Sequence, residues 1–160
     1  KIDKYAFTES SIKYIKISSF FKRIDSYAFD RCSSLQKVEF SNDSKLTSIG
    51  EYAFAYSSFE NILIPENVTK IDDNAFFYCK NLSIVNFPIK QKIKEIGRFT
   101  FAHCSFKSLF IPSSIKNIGD CAFSYCNNLQ IIEVEQDFEL IQLDKKILGY
   151  SQCIIMIPCE

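Results

Sequence analysis

The chain lacks net charge, because 19 lysines and arginines balance 19 aspartates and glutamates. Without a basic excess, no overall field draws it toward nucleic acid or an anionic membrane, and polyanion partners are disfavoured. It also lacks any run approaching the roughly 18 to 20 apolar residues of a membrane helix, so no segment is expected to insert into a bilayer. The opening residues Lys1, Ile2 and Asp3 have neither the basic nor the apolar region of a signal peptide. No glycine-rich cluster exists to cradle a phosphate. The single histidine, His103, and the spacing of Cys121 and Cys126 do not supply the paired ligands that zinc needs. His103 next to Cys104 in sequence does not by itself make a nucleophile and base. No cofactor, metal or catalytic residue is expected, and with no clustered acid, base or nucleophile the chain does not read as an enzyme.

What is present is a repeat. Phe7, Phe29, Phe54, Phe76, Phe101 and Phe123 follow one another at spacings of 22, 25, 22, 25 and 22 residues. Self-similarity at this period marks a solenoid, in which each coil leaves an apolar side that only its neighbours can bury. Five residues before each phenylalanine stands Ile2, Ile24, Ile49, Ile71, Ile96 or Ile118. Eight before stands Phe21, Leu46, Val68, Ile93 or Ile115, and immediately before stands alanine in five coils and Thr100 in the remaining one. The position four before holds Asp3, Asp25, Gly50, Asp72, Gly97 or Gly119. These types suit a helix N-cap or a left-handed backbone, so a short helical or 3₁₀ turn is expected to begin there.

After each phenylalanine an alternating apolar run predicts a short strand, as in Leu35, Val38 and Phe40 or Leu82, Val85 and Phe87. In alternate coils the run arrives one residue earlier, as in Ile12, Ile15 and Ile17, giving a double unit of 47 residues. The extra residues are expected to loop out on the convex side, at residues 41–45 and 88–92. The fold class is therefore an α/β repeat solenoid of about six coils. Short parallel strands line the concave face and short helical or 3₁₀ turns the convex side. The array runs over residues 1–134, with an irregular terminal coil or cap over 135–160. Ile2 and Asp3 already occupy repeat positions, so the chain reads as a stretch of a longer protein.

Four of the seven cysteines, Cys32, Cys79, Cys104 and Cys126, share the slot three residues after the phenylalanine, and Ser10 and Ser57 fill it elsewhere. Exchange with serine points to a small, weakly polar residue packed under a turn. Cys32 and Cys79 lie two coils apart, about 9.6 Å, too far for a disulfide. Cys104 and Cys126 lie in adjacent coils, where either buried thiols or one disulfide fits. Cys121 takes a place held by Tyr5, Tyr27, Tyr52 and Phe99 and reads as an apolar filler, while Cys153 and Cys159 fall in the irregular end. Asn42, Asn67 and Asn81 head glycosylation sequons, which matter only in a secreted eukaryotic protein.

The strand run Leu-x-x-Val-x-Phe resembles that of leucine-rich repeats. The segments LTSIGEYAF, VTKIDDNAF and IKNIGDCAF narrow the likeness to the BspA-like, or Treponema pallidum-type, leucine-rich repeat family. That resemblance implies a horseshoe or gently curved solenoid and, for many members, a cell-surface role in adhesion to host matrix proteins or other microbes.

Residues flanking the middle apolar position of each strand point outward, because side chains alternate faces. One column runs Tyr14, Lys37, Asn61, Ile84, Ser108, Ile131, and the other Lys16, Glu39, Leu63, Asn86, Phe110, Glu133. Leu63, Ile84, Phe110 and Ile131 are expected to form an apolar patch rimmed by Asn61, Asn86 and Glu133, with Tyr14 completing the candidate partner-binding set. The favoured reading is a non-enzymatic module at the cell surface or secreted, binding a protein ligand. The alternative is an intracellular scaffold, cytoplasmic in location, using the same face.

Overall fold

In the computed structural model, which describes residues 1–135, 145–149, 151 and 154–156, each coil contributes two strands. The longer ones are β1 (Tyr14–Ile17), β3 (Lys37–Phe40), β5 (Asn61–Leu63), β7 (Ile84–Asn86), β9 (Ser108–Ile111) and β11 (Ile131–Val134). The shorter ones are β2 (Arg23–Ile24), β4 (Ser48–Ile49), β6 (Lys70–Ile71), β8 (Glu95–Ile96) and β10 (Asn117–Ile118). All pairings are parallel, and the short strands make one continuous sheet in the order β2, β4, β6, β8, β10. Each short strand ends on the repeat isoleucine. A β-branched side chain suits an extended backbone and packs inward, and Ile24, Ile49, Ile71 and Ile96 are buried.

The phenylalanines stack through the middle of the molecule. Neighbouring rings lie 5.0 Å apart for Phe7 and Phe29, 5.1 Å for Phe29 and Phe54, and 5.6 Å for Phe54 and Phe76. The ladder continues at 5.2 Å to Phe101 and 5.9 Å to Phe123, with no pair tilted by more than 6°. Phe59 meets the ladder edge-on at Phe54 and Phe76, and Phe106 does so at Phe101. The face of one ring thus meets the face of the next, while perpendicular rings present their positive edges to the π-clouds. Every ladder member except Phe7 is fully buried.

The expected helical or 3₁₀ turns are absent, because among residues 1–135 the backbone around each phenylalanine forms a run of tight turns. In the second coil the N–H groups of Ala28, Asp30 and Cys32 bond locally to the carbonyls of Asp25, Tyr27 and Phe29. Those of Tyr27, Phe29 and Arg31 bond across to Glu51, Ala53 and Ala55. Alternate N–H groups therefore point along the chain and along the stack, so none in this run needs a helix to find a partner. This alternation requires left-handed residues two before and two after the phenylalanine. Tyr5, Tyr27, Tyr52, Asn74, Phe99 and Cys121 hold the first position, and Glu9, Arg31, Tyr56, Tyr78, His103 and Tyr125 the second, all with φ between 52° and 62°.

Glycine four before the phenylalanine serves close approach instead of capping or left-handed geometry. A Cβ on Gly97 would lie 2.4 Å from the Asp73 nitrogen, and one on Gly50 would lie 2.7 Å from that of Ser26. Cys121 is also more than an apolar filler, since it stands in the left-handed slot.

The double unit is written into the long-strand face. Where an early coil is followed by a late one, one carbonyl accepts two consecutive N–H groups. Lys13 receives Gln36 and Lys37, Glu60 receives Ser83 and Ile84, and Lys107 receives Gln130 and Ile131. This bulge absorbs the extra residue, and the ladder runs on as β1 with β3, β5 with β7, and β9 with β11. In the reverse step there is one residue too few. Ser58 bonds to Leu35 and Ser105 to Leu82, and no ladder joins β3 to β5 or β7 to β9. The long-strand face is thus three separate sheets divided by two seams. Residues 41–43 border this face, since they line a depression with Lys16, Lys37 and Leu63, so the expected loop on the convex side is corrected.

Beyond the sixth phenylalanine the stack gains another layer. β12 (Ile154–Met156) pairs in parallel with β11, and the helix α1 (Lys145–Leu148) takes the place of the turn. Phe123 donates its N–H to Ile147, and the Ser151 hydroxyl donates to the Phe123 carbonyl at 2.7 Å. Cys153 and Cys159 lie outside the described residues, as does the terminal segment at 136–144.

Candidate functional site

The long strands place their outward columns in register, Asn61 beside Ile84, Leu63 beside Asn86, Ser108 beside Ile131 and Phe110 beside Glu133. Pleating turns Ile62, Val85, Leu109 and Ile132 inward, which leaves Leu63, Ile84 and Phe110 with 53%, 52% and 42% of their surface in water. Ile131 is half-buried, and Asn61, Asn86 and Glu133 are exposed. The seam between β7 and β9 divides these residues. Leu63 and Ile84 form one half, and Phe110 and Ile131 the other.

Tyr14 stands apart from them. Its hydroxyl donates to Glu39 at 2.8 Å, the Lys37 ammonium reaches the same carboxylate at 2.5 Å, and that ammonium lies 5.7 Å from the Tyr14 ring centre. The hydrogen bond from Lys37, joined by that from Tyr14, holds the Glu39 carboxyl below its ordinary range. Tyr14 is thus tied into a polar cluster on β1 and β3 and does not join the apolar residues of β5 to β11.

The cysteine slot has a hydrogen-bonding role. Thiols of Cys32, Cys79, Cys104 and Cys126 donate to the carbonyls of Phe7, Phe54, Phe76 and Phe101 at 2.9, 3.1, 3.5 and 3.2 Å. In its own coil the Ser57 hydroxyl does the same to Phe29 at 3.5 Å. Cys104 carries a thiol and is not bonded to Cys126. Burial pushes the Cys79 thiol up to about 12 and raises that of Cys104 as well, the opposite of what a nucleophile needs. Among the described residues no three His, Cys, Asp or Glu side chains gather to hold a metal, and no helix is long and apolar enough to cross a membrane.

A family model for the BspA-type leucine-rich repeat region matches residues 47–145, more than half of the chain, in six copies. The chain belongs to the BspA-type leucine-rich repeat family. Its fold is similar to that of the pneumococcal vaccine antigen PcpA, at 28% identity and a TM-score of 0.74 over 78% of this chain and 31% of that one. It is also similar to a leucine-rich repeat protein of T. pallidum (25% identity, TM-score 0.67, 76% of this chain and 58% of that one). A third likeness is to a leucine-rich cell-surface protein of Faecalibacterium prausnitzii (25% identity, TM-score 0.60, 84% and 41%). The chain spans between about a third and three-fifths of these proteins. No curated protein matches it.

This BspA-type array has a second surface that periodicity did not single out. The left-handed slot two residues after the phenylalanine carries Tyr56, Tyr78, His103 and Tyr125 in successive coils. Their rings follow one another at 5.2, 4.9 and 4.6 Å, the last pair nearly parallel. Lys80 sits with its ammonium 4.5 Å from the Tyr78 ring centre, and Arg31 lies 5.0 Å from that of Tyr56. A depression of about 330 Å³ opens there, lined by Tyr78, Lys80, His103, Ser105, Tyr125, Asn127 and Asn128. Burial among these rings, joined by the charge of Lys80, lowers the pKa of His103. The signal in the sequence was the recurrence of aromatic residues at one offset from the repeat phenylalanine.

Proposed function

We propose that this repeat array is a binding module at the cell surface, recognising a host matrix or cell-surface protein through the long-strand face. The observation that carries the reading is the set of Leu63, Ile84, Phe110 and Ile131, which break the rule that outward positions of a wetted strand are polar. Desolvating large apolar side chains inside a polar rim is how protein interfaces gain affinity. Asn61, Asn86 and Glu133 supply that rim. The cell-surface and vaccine-antigen descriptions of the structural neighbours support the location. The chain's own chemistry adds no reaction to this role.

The test is binding of the purified array, and of a Leu63→Asp/Phe110→Asp variant, to immobilised matrix glycoproteins and to host-cell surfaces. Saturable binding lost in a variant with native circular dichroism is the expected result. Equal binding by both proteins would move recognition off this face. Labelling of intact cells reads out location, and protection of the array from an impermeant reagent would favour the scaffold reading.

A further inference from the structure

Lys80 and His103 bring two nitrogen cations, or one cation and a proton-accepting imidazole, to one depression, and among the described residues no carboxylate lines it. Among the described residues Lys80 makes no ion pair. Around them stand neutral hydrogen-bonding groups, the exposed amides of Asn127 and Asn128 and the phenol of Tyr125, beside the Tyr78 ring. A positive centre flanked by amides, a hydroxyl and aromatic rings offers one charge-assisted contact and several neutral ones. That combination fits a hydroxylated ring bearing one carboxylate, and it fits a flexible acidic peptide less well, because such a chain brings several carboxylates to one positive centre and loses more conformational freedom when it is ordered.

We infer that the depression between Tyr78 and Tyr125 is a binding site for an acidic sugar residue, its carboxylate between Lys80 and His103 and its hydroxyls on Asn127 and Asn128. The site lies on the turn edge and is independent of the long-strand patch, so either can fail without the other. His103 is held between the Tyr78 and Tyr125 rings, with Phe77 edge-on at 5.6 Å and the Cys104 thiol following it in the chain. Among the described residues the charged group facing it is Lys80, which disfavours protonation, and a bound carboxylate would reverse that balance.

His103 is the one histidine of the chain, so its imidazole resonances can be followed in an NMR titration without assignment. Glucuronate is expected to shift them saturably and to raise the apparent pKa of His103 by roughly half a unit. Linkage then makes binding roughly three-fold tighter below the His103 transition than above it. Lys80→Ala should weaken glucuronate binding several-fold. His103→Asn, which keeps a residue tolerant of the left-handed backbone, should remove the pH dependence of binding measured by calorimetry. Neutral glucose should shift nothing. The proposal is overturned if glucuronate gives no saturable shift, or if Lys80→Ala binds it unchanged. It is also overturned if inorganic sulfate or a triglutamate peptide binds as tightly as glucuronate, since the site would then read charge alone or an acidic polypeptide.

Discussion

Cys79 donates its thiol hydrogen to the carbonyl of Phe54, one coil back, at 3.1 Å. The slot therefore needs a small donor that reaches backward, which is why serine and cysteine exchange there and why a metal or a disulfide is not required to explain it. Cys79→Ser should keep the bond and cost less than about 0.5 kcal/mol, whereas Cys79→Ala removes one of the two bonds the Phe54 carbonyl accepts, the Ser57 N–H keeping the other, and should cost about 0.5–1.5 kcal/mol. Urea unfolding of the two variants checks this. Equal stability of Cys79→Ala and the parent would mean that the bond carries nothing.

The same burial makes stability depend on alkaline pH. A folded-state pKa raised to about 12 for Cys79 means that the folded chain holds its proton where the unfolded chain releases it. The contribution is complete below the ordinary thiol range and falls away as pH climbs through it toward 12. Unfolding free energy measured from pH 7 to pH 10.5 should stay level at first and then decline. Cys79→Ser should flatten part of that decline.

Phe76 and Phe110 are the same residue type in different surroundings. Phe76 is enclosed between Phe54 and Phe101, while Phe110 is 42% exposed on the long-strand face. Phe76→Ala should cost about 3–5 kcal/mol and Phe110→Ala much less, because only the former leaves a cavity within the ladder. Thermal unfolding of both variants reads the difference.

The solenoid, its strands and its phenylalanine core were legible in the sequence because each rests on burial, and burial repeats with the period. The turn was not. Asp25, Gly50 and Asp72 look like N-caps when taken one residue at a time, and nothing in Tyr27 or Tyr52 announces a left-handed backbone. Only Asn74 among the six residues of its slot is a type that favours it. The left-handed run depends on bonds between coils, such as Tyr27 to Glu51, which no single coil contains. For the candidate site, alternation placed Leu63, Ile84 and Phe110 outward correctly. The seams and the Tyr14–Glu39 bond have no signature in any one repeat, since both arise from how neighbouring coils register.

The left-handed slots predict an unusual order of tolerance. At Tyr27, with φ 60°, the ring stacks on Tyr5 at 5.1 Å and on Tyr52 at 5.0 Å. Asparagine there loses the stacking but accepts the backbone, while valine loses both. Tyr27→Val should therefore be less stable than Tyr27→Asn by about 1–2 kcal/mol. Intrinsic preference for extended structure would give the reverse order, so equilibrium unfolding of the pair decides which force governs this turn.

The seam between β7 and β9 makes the proposed binding face testable in halves. Leu63 belongs to the β5–β7 pair and Phe110 to the β9–β11 pair, and no ladder links them. A partner that spans the seam contacts both, but no ladder bond joins the two halves. Each single change, Leu63→Asp or Phe110→Asp, should weaken binding by about 1–2 kcal/mol. The double variant should equal their sum to within about 0.5 kcal/mol, as separated sites do. Surface plasmon resonance with all four proteins closes the cycle. A coupling energy well beyond that margin would mean that the partner presses the two halves together, making the seam a hinge that closes on binding. Loss from one half alone would confine the site to one pair of coils.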